Sequence, residues 1–345
     1  MSQHTIRHSN IELLRIISMV MVLCVHFTGA TFGLPHKMTL GDLNDISAVA
    51  KTLMESFSII GVNCFVLISG YFGIKPTVKG LVNFTMWCLF YAVVIYAIYS
   101  VLEPKMYNVN DILCSIRVFS NTDLWFVPAY LALYLLAPII NRGTQSISRK
   151  DFIWLLVSLT FINIYLGWYW QGKVNPTGYN VMQMIYIYVI GRFLKQYIKP
   201  RKRYRIYFLL LYVISYIFLV ASTFFLPNNI AYAYNSPFVV INSVSLFLLF
   251  STLRIKNTYI NHIASSAFAV YLLHKMPPVW TDLKEFMISN AKNVDDIVFS
   301  VYWVAFILLL FSSCIIIDKL RLAVMTPINK HIIRFINRFV YNNSK

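Results

Sequence analysis

Long apolar runs separated by short polar stretches recur along the whole chain. A helix needs about 20 mostly apolar residues to cross the hydrocarbon core of a bilayer, and most of these runs reach that length. Helices are expected because backbone groups inside a bilayer must find their hydrogen-bond partners within the same segment. The pattern predicts ten membrane-spanning helices, at Ile11–Thr31, Thr52–Phe72, Leu81–Leu102, Leu124–Ile140, Phe152–Trp170, Tyr179–Leu194, Tyr204–Leu226, Pro237–Leu253, Tyr259–Trp280 and Ile297–Ile317.

The first span carries ionisable residues on one face. Arg15 and His26 are separated by eleven positions, which leaves about 20° of rotation and a rise of about 16 Å along the helix. Glu12 lies on the same face, one turn before Arg15. Such groups are costly at membrane depth and usually face a bundle interior or an aqueous cavity, where they function. The alternative interpretation is an interfacial Glu12–Arg15 ion pair, with His26 a hydrogen-bonded core histidine.

Composition supports the same class of protein. The chain is 58% hydrophobic and only 12% charged, which excludes an ordinary soluble domain of 345 residues. We therefore predict an all-α integral membrane protein with one domain over residues 1–345. Its helices would lie within about 11–317, followed by a basic cytoplasmic tail, 318–345. No HExxH, CxxC or GxSxG motif is present, so the sequence predicts no metal site.

The net charge of +17 is unevenly distributed. With ten spans and a cytoplasmic N-terminus, most of the 30 Lys and Arg residues fall in the inner segments. This positive-inside pattern predicts that both termini are cytoplasmic. It also removes the reason to expect a nucleic-acid partner. The basic residues between Arg192 and Arg205 can serve simply to anchor anionic lipid headgroups, or they can have a second use in binding an anionic substrate.

Three residues near the predicted outer surface are candidates for binding a sugar. Asp123 and Trp125 open the fourth span, and His274 lies near the outer end of the ninth. A sugar ring can rest on an aromatic plane while a carboxylate accepts hydrogen bonds from its hydroxyls. An aromatic belt at the membrane interface explains Trp125 equally well.

Four short motifs resemble those of the acyltransferase family 3 membrane acyltransferases, in the same order. Arg15 and His26 resemble the family's Arg-X10-His signature, and Phe65–Gly70 is similar to its FxxSG segment. Leu124–Pro128 resembles the LWF-type fourth helix, and Tyr271–His274 resembles the YLxH motif. Each motif is weak alone, but together they cover most of the predicted spans.

The resemblance implies transfer of an acyl group, commonly acetyl from acetyl-CoA, to a hydroxyl of a cell-surface or lipid-linked polysaccharide. It implies acyl-CoA as a substrate, with no permanently bound cofactor, and a multi-pass location in a bacterial plasma membrane among its lipids. Some relatives carry an additional extracytoplasmic hydrolase-like domain, which does not follow here. The chain would therefore complete the transfer itself or pass the acetyl group to a separate extracytoplasmic transferase.

The residues on the first span suit this chemistry. An imidazole has an ordinary pKa near 6.5, so neutral His26 can accept a proton from the acceptor hydroxyl, or it can carry the acetyl group transiently. Arg15, with Glu12 beside it, would supply positive charge nearer the cytoplasm, where acetyl-CoA is available. We expect Arg15, Lys75, Arg201 and Arg203 to form a cationic entrance for the phosphates of the coenzyme.

Two other classes of protein share some of these features. A polysaccharide polymerase or flippase is also a multispan protein, but polymerases usually present a larger outer loop than Glu103–Asp123, the longest predicted here. A small-solute transporter can use Glu12, Arg15 and His26 as a proton relay. No paired interrupted helices occur in matching halves of the chain, which weakens the transporter alternative.

Overall fold

The computed structural model describes residues 8–120, 122–291 and 296–342. Within these ranges the chain forms fifteen α-helices and no β-strand. The helices are α1 Ser9–Phe32, α2 Ile46–Ser58, α3 Gly61–Phe72, α4 Val78–Leu102, α5 Val109–Ser115, α6 Phe126–Ser146, α7 Arg149–Thr160, α8 Val181–Tyr197, α9 Arg205–Ser222, α10 Asn228–Ala231, α11 Pro237–Ser251, α12 Thr258–Ala264, α13 Ala267–Lys275, α14 Pro277–Ala291 and α15 Asp296–Asn342. The predicted all-α class is confirmed for these ranges.

Seven helical segments in the described ranges are long and apolar enough to cross a membrane, and they coincide with seven of the ten predicted spans. They are Ser9–Phe32, Ile46–Phe72, Val78–Leu102, Phe126–Ser146, Arg149–Tyr169, Lys202–Ser222 and Val298–Arg334. Pro128 lies in the first turn of α6, where proline is tolerated, and Pro138 lies inside that helix. By length and composition, the described ranges therefore contain seven candidate membrane-spanning helices and not the predicted ten.

The three other predicted spans correspond to shorter helices. α8 has 17 residues and α11 has 15. The ninth span, Tyr259–Trp280, is divided among α12, α13 and the start of α14. The cytoplasmic location of both termini stays a prediction, and the terminal residues 1–7 and 343–345 lie outside the described ranges.

Glycines allow α3 and α8 to pack at close range. A Cβ atom added at Gly191 would lie 2.7 Å from the carbonyl oxygen of Leu67, and one added at Gly70 would collide with the backbone of Tyr188. Contact through small residues is a common way for helices to associate in membranes. α8 is therefore a core helix of the bundle, although it is short.

α1 occupies the centre of the bundle. It packs against α2, α3, α11, α12, α13, α14 and α15. Leu14, Leu23 and Phe27 have no exposed surface, so the neighbouring helices enclose α1 at these positions. This central position brings the ionisable face of α1 against several helices that are distant in the sequence.

The last helix continues past Ile317, the predicted end of the spans. α15 runs through Asn342, and Asp318 and Arg321 lie inside the bundle as a buried ion pair of 2.7 Å. Trp87 and Tyr91 of α4 also donate hydrogen bonds to the Asp318 carboxylate. These contacts join the start of the predicted tail, 318–345, to α4.

Candidate active site

Two histidines meet where α1 packs against α13. Nδ1 of His26 lies 2.8 Å from Nε2 of His274, across 248 positions of sequence. His274 has no exposed surface. Ala267 and Ala269, earlier on α13, are also fully buried, so this short helix is enclosed within the bundle. Both histidines are candidate site residues from the sequence, but their contact was not predicted.

The hydrogen bonds determine which nitrogen carries each proton when both rings are neutral. Nδ1 of His274 lies 2.5 Å from the carbonyl oxygen of Val270, which can only accept, so this nitrogen carries the proton. Nε2 of His274 then has the lone pair and accepts a hydrogen bond from Nδ1–H of His26. Nε2 of His26 is left unprotonated, which is the form that a general base requires.

His26 borders a small cavity of about 30 Å³. Its wall includes His26, Trp125, Phe126, Tyr234, Phe268 and Tyr271. A water molecule needs roughly 10–15 Å³, so the space holds about two water-sized groups and is too small for a sugar ring. The cavity therefore suits the reacting atoms of an acyl transfer, with the rest of the acceptor outside it.

Aromatic rings surround the cavity. Trp125 packs against Tyr179 and Tyr234, with ring centroids 4.9 Å and 5.5 Å away. The ring of Trp280 lies 5.7 Å from that of His26, and Lys275 lies 4.5 Å above the Trp280 ring. The imidazole of His26 therefore packs against the Trp280 ring, which also carries the Lys275 ammonium on its face.

The predicted acceptor residues occupy different positions. Trp125 lines the cavity beside His26. Asp123 is exposed in the short turn Thr122–Leu124 and interacts electrostatically with Lys275. His274 has both ring nitrogens within hydrogen-bond distance of protein partners, Nδ1 of His26 and the carbonyl oxygen of Val270, and its contact with an acceptor stays a prediction.

Arg15 does not line the cavity. Its guanidinium pairs with the carboxylate of Glu12 at 3.1 Å, and 31% of its side-chain surface is exposed. This is the ion pair that the alternative interpretation predicts. His26, by contrast, borders the cavity and keeps one ring nitrogen outside the histidine pair.

The remaining predicted residues for the acyl donor are exposed. Lys75 follows the end of α3, and Arg201 and Arg203 lie in the connection before α9. Arg203 stacks on the ring of Tyr204 at 4.7 Å. Arg205 instead donates a hydrogen bond to the backbone oxygen of Thr252 at 3.2 Å. The structure therefore places these cations at the surface, apart from the histidine pair.

Glu55 and Arg192 are buried ionisable residues that were not among the predicted site residues. The carboxylate of Glu55 lies against Gly29, one turn beyond His26, and a Cβ atom added there would be 3.1 Å from it. Arg192 on α8 is also buried. Both residues place a charge inside a predicted apolar span. That charge was the feature of the sequence that could have identified them as site candidates. No group of three or more His, Cys, Asp or Glu in the described ranges is placed to hold a metal ion.

Comparison with known families agrees with the motifs. The sequence model of acyltransferase family 3, described as an acyltransferase domain, matches residues 8–319. No curated protein and no solved structure matches the chain. The matched region contains the Arg15–His26 face, the cavity and the histidine pair. The chain therefore belongs to acyltransferase family 3 and is a multi-pass membrane protein of that family.

Proposed function

We propose that this protein moves an acetyl group from cytoplasmic acetyl-CoA to a hydroxyl of a cell-surface or lipid-linked polysaccharide. The observation that carries the proposal is the histidine pair, which leaves Nε2 of His26 unprotonated beside a small cavity. Membership of an acyltransferase family supports the reaction type. The acetyl group, the coenzyme and the polysaccharide are the proposed part.

The proposed chemical step uses His26 as the general base. The acceptor hydroxyl attacks the thioester carbonyl while Nε2 of His26 takes its proton. The C–O bond forms, the C–S bond breaks, and the imidazolium returns the proton to the departing thiolate. The products are an ester and free coenzyme A, and His26 regains its starting form. His274 stabilises the transient imidazolium, because its Nε2 accepts a hydrogen bond from Nδ1–H of His26.

The proposed acyl donor approaches from the Arg15 end of α1. Arg15, with Glu12 beside it, would attract the phosphates of the coenzyme, and the exposed Lys75, Arg201 and Arg203 would raise the local positive charge. The acceptor would approach along Trp125, with Asp123 at the outer rim. The two substrates would then meet at His26 from opposite sides of the membrane.

Labelled acetyl-CoA tests the function directly. Membranes that contain the protein would be incubated with acetyl-labelled coenzyme A. The acceptor would be polysaccharide from cells that lack the protein. We expect the label to appear in the polysaccharide as an ester that mild alkali releases. Altered polysaccharide chain length without label would instead support a polymerase, and uptake of a solute without label would support a transporter.

Replacing Arg15 with lysine is expected to lower kcat/KM for acetyl-CoA by more than about tenfold, because lysine cannot bind a phosphate through two parallel hydrogen bonds. The matched variant Glu12→Gln removes the partner carboxylate and should change activity much less, since a partly exposed pair contributes at most about 1 kcal/mol. Initial rates at varied acetyl-CoA measure both. Wild-type kinetics in Arg15→Lys would contradict the assignment of Arg15.

Replacing Trp125 with alanine is expected to raise the KM for the polysaccharide by roughly three- to tenfold, because the sugar loses an aromatic contact. Trp125→Phe should retain most of the affinity. Trp170, an exposed outer tryptophan, provides the control Trp170→Ala. The measurement compares acetyl transfer to polysaccharide with acetyl-CoA hydrolysis by water. An equal loss of both reactions would show that Trp125 only supports the fold.

A further inference from the structure

Arg192 is a buried cation near one end of the bundle. It lies on α8, five positions before the helix ends at Tyr197, which corresponds to about 7.5 Å. Only 7% of its surface is exposed. By comparison, the nearby Arg142 on α6 is exposed. A guanidinium remains charged in proteins, so its burial requires compensation.

The compensation is incomplete within the described part of the chain. No carboxylate there lies within 4.0 Å of the Arg192 guanidinium, whereas Arg15 and Arg321 each have such a partner. Nε of Arg192 is buried and has no hydrogen-bond partner. Buried charges are ordinarily paired, because removing one from water is costly. The positive charge of Arg192 is therefore not balanced by a carboxylate among the described residues.

The polar neighbours of Arg192 are occupied with one another. The backbone N–H of Ile74 donates to the Tyr188 hydroxyl at 2.8 Å, and that hydroxyl donates to Oδ1 of Asn141 at 2.7 Å. Nδ2 of Asn141 donates to the carbonyl oxygen of Ile74 at 2.8 Å. This closed ring of hydrogen bonds fixes the wall beside the guanidinium without supplying a negative charge.

The backbone leaves room for the guanidinium at Gly73. This residue follows α3 with a φ of 74°, a conformation that favours glycine, and a Cβ atom there would lie 2.7 Å from Nη1 of Arg192. The end of α3 contributes roughly half a negative charge through the helix dipole. That balances part of the full positive charge and leaves Arg192 able to attract an anion.

Packed residues connect this part of α8 with the wall of the cavity. Gly70 packs on the backbone of Tyr188, one turn before Arg192 on α8. The neighbouring Ser69 lies 3.3 Å from the hydroxyl of Tyr130. The ring of Tyr130 stacks on Phe126 at 5.5 Å, and Phe126 lines the cavity beside His26.

We propose that Arg192 binds a phosphate group of the acyl-CoA substrate, so that the arm carrying the acyl group extends along Ser69 and Tyr130 to His26. This inference rests on the proposed function and adds a residue that anchors the acyl donor. The planar guanidinium matches phosphate through two parallel hydrogen bonds. Lys195, one turn further along α8 and 4.8 Å above the ring of Tyr71, adds positive charge on the same side.

The test uses the full chain in nanodiscs of phosphatidylcholine, with wild type, Arg192→Gln and the exposed control Arg142→Gln. We expect Arg192→Gln to raise the Kd for coenzyme A on the order of tenfold or more, while Arg142→Gln stays near wild type. S-acetylpantetheine, which has the same thioester arm but no phosphate, is then supplied as the acyl donor. Wild type and Arg192→Gln should use it with the same kcat/KM.

Different failures are distinguishable. Wild-type affinity for coenzyme A in Arg192→Gln would overturn the site while leaving the acyltransferase proposal standing. Equal losses with acetyl-CoA and S-acetylpantetheine would assign Arg192 to the fold alone. The same variants would also be measured in nanodiscs that contain phosphatidylglycerol. If Arg192→Gln lost activity only in those nanodiscs, Arg192 would hold a lipid phosphate and not the coenzyme. A wild-type protein that neither binds coenzyme A nor transfers acetyl would overturn the proposed function together with this inference.

Discussion

Replacing His26 with alanine is expected to lower the kcat of acetyl transfer by about 10²–10⁴-fold, the usual contribution of a positioned general base. The reason is the loss of Nε2, the ring nitrogen that the hydrogen bonds of His274 leave unprotonated beside the cavity. The KM for acetyl-CoA should change little, because His26 contacts the reacting atoms and not the coenzyme phosphates. Rates of label transfer at saturating acetyl-CoA measure the effect.

A second variant separates chemistry from stability. His26→Asn keeps an N–H that can donate to His274, but it has no ring nitrogen at the Nε2 position. It should lose as much activity as His26→Ala while unfolding at a higher temperature, because an unsatisfied buried acceptor costs about 1–3 kcal/mol. His36 is exposed and provides the control His36→Ala.

Substantial activity in a well-folded His26→Asn protein would refute the general-base role. A stable acetyl group found on His26 by mass spectrometry during turnover would instead favour the covalent alternative. In that case the acetyl group passes through the imidazole before it reaches the acceptor.

The seven long helices could be predicted because they are local. Each is an apolar run whose length alone meets the requirement of a bilayer, and the all-helical class follows from the need to satisfy backbone groups in lipid. The ninth predicted span shows where run length misleads. Pro277 and Pro278 fall inside Tyr259–Trp280, and the residue before a proline is disfavoured in a helix, so α13 ends at Lys275.

The burial of charged residues near the ends of two helices was harder to predict from the sequence. Apolar character falls at Ile317, yet α15 continues, because Asp318 and Arg321 pair with each other inside the bundle and so reduce the cost of burial. Arg192 interrupts α8 in a similar way but without a carboxylate within 4.0 Å among the described residues. The sequence shows a charge in both cases and cannot show which one is neutralised.

The candidate site combines a local signal with a non-local one. The spacing of Arg15 and His26 on one helix is local and was visible in the sequence. The contact between His26 and His274 joins residues 248 positions apart, and it depends on how α13 is inserted between α1 and α15. Periodicity carries no information about that packing. The motif containing His274 indicated an important residue, but only the packing shows that it faces another histidine.

Replacing His274 with phenylalanine is expected to lower kcat on the order of a hundredfold while leaving the KM for acetyl-CoA unchanged. The ring of His26 would lose the acceptor that holds its proton on Nδ1, so the wrong tautomer would become accessible. Loss of the carboxylate that orients the histidine of a serine protease costs roughly 10⁴-fold, and a neutral acceptor should contribute less. The measurement is kcat for acetyl transfer in protein of matched abundance.

The order of the His274 variants distinguishes positioning from packing. His274→Gln keeps a side-chain oxygen that can accept from His26, whereas phenylalanine better preserves the ring volume at a position with no exposed surface. Positioning predicts that glutamine retains more activity than phenylalanine, and packing predicts the reverse order. The double variant His26→Asn, His274→Phe adds a second criterion. If His274 acts through His26, the double variant should be no less active than His26→Asn alone, because residues that act as a unit are not additive. A further loss in the double variant would mean that His274 contributes to transfer independently of His26.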